Sequence, residues 1–406
     1  MTATAAPALD ALSPRVEALQ PSATMAISAR AAALRREGRD VIALSAGEPD
    51  FDTPAPIVEA AHQALRDGHF GYTASSGMPE LREAIATKLK LENGVETCAA
   101  EIVCSNGAKQ SVAQALLAIC RPGDEVIVPA PYWVSYPEMA RLAGAEPVAA
   151  AATAEADYKL TPEQLEAAMS ERTRALILNS PSNPTGAVYT PDELEALAAV
   201  LRRHEHVAVV SDEIYEHVVF DADFASFATL DGMAGRTCTV NGFSKGFAMT
   251  GWRLGYLAAP PWWSGAVAKI QSQLTSGPSS ITQHAALAAF TMGKGAIQEM
   301  VSAFRERRDA VLARLRAIGG VTCPTPEGAF YLFPDVSALY GRTAPDGTEI
   351  TGSVALCTYL LDAHDLALVP GEAFGSDAGV RLSYATDLDT LMRACDRFEA
   401  GVAALR

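Results

Sequence analysis

Between residues 100 and 260 the chain alternates short, continuous apolar runs with longer helical patterns, and no other feature limits its folding as much. "EIVCS" (101–105) leads into "AKQSVAQALLAIC", and "DEVIVPA" (124–130) into "YPEMARLAG". "RALILNS" (174–180) precedes a long helix starting near Pro191. "VAVVSD" (207–212), "TCTVNG" (237–242) and "WRLGYLAA" (252–259) complete the series, the last with a helix after it. Strands that are apolar on both faces must be covered on both faces. The pattern therefore predicts an α/β fold with a mostly parallel sheet flanked by helices. Such sheets bind ligands at the carboxyl ends of their strands.

The flanks read differently. Residues 1–50 carry an amphipathic helix over 27–38 and a short strand. Residues 296–406 carry long charged helices and at least two strands, "GAFYLFP" and "GVRLSYA". We expect a large ligand-binding domain over 51–295 and a smaller α/β domain built from both ends of the chain. A net charge of −16 argues against nucleic acid or an anionic membrane surface as the main partner. No apolar run approaches the ~20 residues that span a bilayer. Seven cysteines without a CxxC pair read as free thiols in a reducing cytosol. "MTATAAPALDALSPR" has no basic segment followed by an apolar core, so a secretory leader is not expected and the location is read as cytoplasmic.

Three polar groups fall just after predicted strands: Asp212 in "SDEIY", Asn183 in "NSPSNPTG" and Lys245 in "NGFSKGFAMTGWRLGY". A lysine among apolar residues is costly unless it is paired or chemically used. Desolvation lowers its pKa and lets it condense with aldehydes. Pyridoxal 5′-phosphate (PLP) is the aldehyde cofactor that needs such a lysine. It also needs a buried carboxylate beside its ring nitrogen, which Asp212 supplies. Its phosphate needs a helix start and a cation. "SNGAKQS" offers the first at Gly107, and Ser244 and Arg253 offer a hydroxyl and the second.

"SPSNPTG", "SDEIY" and "SK…MTGWRLGY", in this order and spacing, resemble the fold-type I, class I PLP-dependent aminotransferases. The likeness runs from "PSAT" (21–24) and "LSAGEPDFDTP" (44–54) to "RLSYAT" (381–386). "PAPYWVSYPEMARLAG" and "CPTPEGAFY" bring it nearest to the bacterial aspartate and aspartate/prephenate subgroup. The resemblance implies that Lys245 carries the cofactor and shuttles the Cα proton, and that Asp212 pairs with the ring nitrogen. Asn183 and Tyr215 would bond the ring 3-oxygen, and Trp133 would stack on the ring. Gly107, Ala108, Lys109, Ser244 and Arg253 would hold the phosphate, with Tyr72 reaching that of a neighbouring subunit in a homodimer. Arg381 would grip the substrate α-carboxylate, helped by the backbone of Gly47. Lys109 would meet a distal carboxylate, and Thr24 would close over the site. The implied reaction is ping-pong transfer of an amino group between aspartate or glutamate and a 2-oxo acid. Relatives active on prephenate tend to carry a basic residue just before "PSAT", where this chain has Gln20.

Plainer readings exist. Asp212 alone fits a helix cap, "NPTG" is a good turn, Lys245 alone fits a surface lysine, and Trp133 fits a core aromatic. Arg253 and Arg381, set in apolar strands, resist such readings because each would bury an unpaired charge. His204, His206, Glu213 and His217 invite a metal reading, but the spacing of the two histidines is poor for ligation and no cysteine joins them, so no metal is expected. G-x-G-x-x-G and G-x-x-x-x-G-K are absent, leaving dinucleotide and Walker-type sites unsupported. Three other functions remain: a β-lyase of the same fold, an aminotransferase of aromatic or alanine specificity, and a PLP-binding transcriptional regulator, which would carry an extra DNA-binding region.

Overall fold

The computed structural model describes residues 12–21 and 23–406; most of the segment read as lacking a leader lies outside them. In chain order the strands are β1 (Ile42–Ala43), β2 (Ile102–Ser105), β3 (Glu125–Ala130), β4 (Glu146–Ala151), β5 (Thr173–Asn179) and β6 (Ala208–Asp212). There follow β7 (Thr237–Gly242), β8 (Gly255–Ala258), β9 (Tyr331–Leu332), β10 (Leu366–Ala367), β11 (Val369–Pro370) and β12 (Val380–Ser383).

Seven of them form one sheet in the order β2-β8-β7-β6-β5-β3-β4. Pairs from β7 to β4 are parallel, while β8 runs antiparallel to both β2 and β7. Every residue of β2, β6, β7 and β8 is buried, as continuous apolar strands covered on both sides must be. The strand β4, "EPVAAA", escapes a pattern reading. It is an edge strand with only one buried residue, poor in β-branched side chains, and its Pro147 is tolerated at an edge.

Parallel pairing brings the polar strand ends together. Asn179 at the end of β5 is in register with Asp212 at the end of β6, and β7 ends three residues before Lys245. The helix Ala108–Ile119 follows β2 directly and buries Val112, Ala115 and Leu116 against the sheet.

Two expectations need correction. "WRLGYLAA" was expected to be strand throughout, but the strand starts only at Gly255. Arg253 sits in the preceding turn with φ +56°, exposed rather than buried. The helix expected over 27–38 is Ala23–Arg36, which puts Thr24 in its first turn. The flanks meet: β1 pairs in parallel with β10, and β9, β11 and β12 form a small antiparallel sheet. One core cluster joins Ile42 and Leu44 to Phe304, Leu360, Leu382 and Phe398. Among the described residues no helix is long and apolar enough to cross a membrane.

Candidate active site

A cavity of about 400 Å³ opens at the carboxyl end of the sheet. Lys245, Asp212, Tyr215, Asn183, Trp133, Ala108, Lys109, Ser244, Arg253, Arg381, Gly47 and Thr24 all line it. Gly107 stands beside it as the N-cap of Ala108–Ile119. Tyr72 does not reach it; its side chain is 99% exposed on this subunit.

Lys245 points inward from the turn after β7. Its Nζ donates to the carbonyl oxygen of Gly47 and lies 5.7 Å from the Tyr215 ring centre. Burial pushes its pKa down to about 8; Glu48 opposes the shift, and Arg381 and Arg253 add to it. Asp212 is 3% exposed. The Tyr136 hydroxyl donates to its Oδ2 at 2.8 Å, and the Ile214 N–H donates to Oδ1 at 3.3 Å. Burial nonetheless raises the Asp212 pKa to about 6, because those bonds and the Lys245 charge offset it only in part. A carboxylate with an elevated pKa favours an incoming cation or N–H donor.

Arg253 closes the other end. Its guanidinium donates to the Thr250 carbonyl at 2.8 Å and to the Asn106 carbonyl at 3.2 Å. Gly107, at φ +88°, lets that guanidinium pack directly on its backbone; a Cβ there would collide with the Arg253 fork. One cation thus stands beside a helix start, an arrangement that suits a phosphate.

Arg381 is 2% exposed. Its guanidinium donates to Asn183 Oδ1 at 3.0 Å and to the Ser45 carbonyl at 2.8 Å, and its Nε has no partner among the described residues. The Tyr331 and Phe374 rings lie 4.7 Å and 5.0 Å from it. Burial lowers its pKa. A buried guanidinium held by neutral groups is prepared for an anion. Its backbone neighbour is Ser45, whereas the Gly47 carbonyl faces Lys245. Lys109 stands at the exposed rim with its Nζ 4.9 Å from the Trp133 ring centre. Partial burial and Arg253 lower its pKa.

Sequence reasoning missed Tyr136, Tyr331, Ser45 and Glu48. Tyr331 bonds the Tyr215 hydroxyl at 3.0 Å and lies under Arg381. Tyr136 packs edge-on to Trp133 at 5.2 Å. Its three-residue spacing from Trp133 across a helix start was the available signal. His204 bonds Glu166 at 2.9 Å on the surface, whereas Glu213 is buried on Ser211 and Ser226. Among the described residues no group of three or more His, Cys, Asp or Glu side chains could hold a metal ion.

A sheet of this topology with a lysine, a buried aspartate and a buried arginine converging on one cavity defines a fold-type I enzyme site. The family model for aminotransferase class I and II matches residues 39–398, and the chain belongs to that family. It is an aminotransferase. It is 53% identical to the bifunctional aspartate aminotransferase and glutamate/aspartate-prephenate aminotransferase of Petunia hybrida, over 97% of this chain and 83% of the relative. It is 49% identical to the aspartate/prephenate aminotransferase of Cereibacter sphaeroides, over 97% and 99%. The solved aspartate aminotransferase of Rhizobium meliloti superposes with a TM-score of 0.95 at 44% identity, covering 98% of this chain and 100% of that one. The Thermus thermophilus aspartate aminotransferase with maleate gives a TM-score of 0.90 at 44% identity, over 96% and 99%.

Proposed function

We propose that this aminotransferase uses PLP and passes an amino group between aspartate or glutamate and a 2-oxo acid. The observation that carries this reading is Arg381, a buried guanidinium with neutral partners, facing the same cavity as Lys245 and Asp212. The cavity fits PLP: the Arg253 guanidinium lies against the helix start at Gly107 and lines the cavity with Ala108 and Ser244, and Asp212 offers a buried carboxylate with a raised pKa. Bound there, PLP supplies an aldehyde and an electron-withdrawing ring that acidifies the substrate Cα–H. Lys245 would attach the cofactor and would take and return the substrate Cα proton. Asp212 would keep the ring nitrogen protonated, with Tyr136 holding its carboxylate in place. Asn183 and Tyr215 would bond the ring 3-oxygen, and Trp133 would cover the ring. Ala108, Lys109 and Ser244 complete the phosphate cup. Arg381 fixes the α-carboxylate, and Gly47 and Thr24 border the substrate.

Lys109 is assigned to the distal carboxylate. Maleate, the dicarboxylate in the Thermus structure, supports a dicarboxylic substrate. Replacing Lys109 with Ala removes one charge-assisted contact, worth about 1.5–3 kcal/mol, or roughly ten- to a hundredfold. Aspartate and glutamate should lose that much kcat/KM, while alanine and phenylalanine change far less. The assay is kcat/KM for one donor of each kind at saturating PLP. Equal losses across all donors would reduce Lys109 to a phosphate contact and leave the dicarboxylate assignment without a residue.

Prephenate is a second acceptor to test, favoured by the names of the Petunia and Cereibacter relatives. Gln20, which departs from the expected basic residue, is exposed and donates its backbone N–H to Glu138 at 2.9 Å. A β-lyase would instead release ammonia. The pairing of β1 with β10 supports a small domain built from 1–50 and 296–406, and five buried free cysteines support a cytoplasmic location.

We assign Tyr72 to the phosphate cup of a second subunit, since its side chain is exposed here and outside this chain's cavity. Mixing Tyr72→Phe protein with Lys245→Ala protein should then restore activity. In the mixed dimer one site carries both lesions and the other neither. No recovery in proven heterodimers would remove Tyr72 from the site.

A further inference from the structure

We infer that His217, behind the catalytic cavity, is a positioning residue that fixes the backbone carrying Lys245; this rests on the PLP reading above. The turn after β6 presents side chains to two sides. Tyr215 lines the catalytic cavity, while His217 lies against the turn that holds Lys245. The contact is close. A Cβ built on Gly246 would stand 2.5 Å from His217 Cδ2, 3.0 Å from its Cβ and 3.1 Å from its Cγ. The imidazole therefore occupies the place a side chain next to Lys245 would take. It also meets the Phe247 ring edge-on at 5.4 Å. Two consecutive residues after Lys245 thus pack on one ring.

The ring is itself held. Its Nε2 lies 3.4 Å from Glu216 Oε1, and Glu216 is tied to Lys88 and accepts from Asn93 Nδ2 at 2.5 Å. Burial keeps the imidazole pKa below its usual value, with Lys88 and Lys294 adding to the shift and Glu216 and Glu92 opposing it, so the ring acts as a neutral wedge. Beyond it lies a second cavity of about 500 Å³, walled by Phe243, Phe290 and Leu91. Without the imidazole, the Gly246 peptide would face that open space. A glycine is the residue least able to hold its own conformation. The Lys245 Nζ must meet reacting atoms at one geometry, and a ~1 Å misplacement there can cost about a hundredfold.

The test is a compensation experiment. His217→Ala should lower kcat by roughly ten- to a hundredfold with little change in KM for aspartate. The midpoint pH of the visible absorbance of lysine-bound PLP should move as well. His217→Phe, which keeps a planar ring against Gly246, should restore most of the rate. Gly246→Ala should cause a similar loss by pushing the ring away. Combined with His217→Ala, which makes room for the added methyl, it should recover towards wild type. In cofactor-free protein, the rate at which Lys245 reacts with a small aldehyde should follow the same order. Thermal unfolding identifies any variant that fails to fold, and His217→Phe then carries the comparison.

Additive losses in the double variant, or a His217→Ala protein with unchanged kcat and absorbance midpoint, would overturn the inference. Neither result would touch the PLP reading. That reading fails separately, if wild-type protein forms no lysine-bound PLP.

Discussion

Lys245→Ala should lose turnover by at least about four orders of magnitude. The substitution deletes both the covalent attachment of the cofactor and the group that moves the Cα proton, and proton transfer alone is worth about 10²–10⁴. The visible absorbance of lysine-bound PLP should vanish with it. The protein should still fold, because among the described residues Lys245 hydrogen-bonds only to Gly47, and its burial lowers its pKa at a cost to the cofactor-free state. PLP should still bind, more weakly, through Arg253 and Asp212. The wild-type lysine gives a second readout. With its pKa near 8, the amine is the nucleophile in its neutral form. PLP uptake by cofactor-free protein should therefore slow as pH falls below about 8 and level off above it. Uptake that stayed flat from pH 6 to 10, or a variant with near-normal turnover, would contradict the assignment.

Arg381→Leu should cost every amino donor alike. The guanidinium offers two charge-assisted bonds to the α-carboxylate that all donors share. Each is worth about 1.5–3 kcal/mol, so the loss in kcat/KM is on the order of 10²–10⁴. This separates it from Lys109→Ala, whose effect should follow the distal carboxylate. Stability distinguishes binding from folding. Leucine removes a buried charge whose partners are all neutral, so the ligand-free Tm should hold or change modestly. The rise in Tm that a dicarboxylate gives wild type should disappear. A large fall in ligand-free Tm, with normal KM for the folded fraction, would make Arg381 a structural residue.

The catalytic centre was largely legible in the sequence because parallel pairing turns strand ends into neighbours. Asn183, Asp212 and Lys245 lie far apart along the chain, yet each stands at or just after the end of a continuous apolar strand, and β5, β6 and β7 are adjacent. The resemblance added Trp133, Tyr215 and Arg381, which also line the cavity. What escaped depends on tertiary contact rather than pattern. Tyr136 and Tyr331 look like ordinary core aromatics until their hydroxyls meet Asp212 and Tyr215. Arg253 was read into a strand because "WRLGY" is apolar around it. The chain instead turns there with a left-handed arginine, which aims the guanidinium at Gly107. The edge strand β4 carries too little apolar character to announce itself. Ser45 contributes a carbonyl, and a backbone group leaves no trace in residue type.

The most direct test of the central claim is a single half-reaction. Protein loaded with PLP is mixed with aspartate and no oxo acid, and the products are counted per subunit. An aminotransferase should give one oxaloacetate per subunit, loss of the lysine-bound PLP absorbance, no release of ammonia, and recovery of the absorbance on adding 2-oxoglutarate. Continuous release of ammonia without an acceptor, or no oxaloacetate at all, would contradict it.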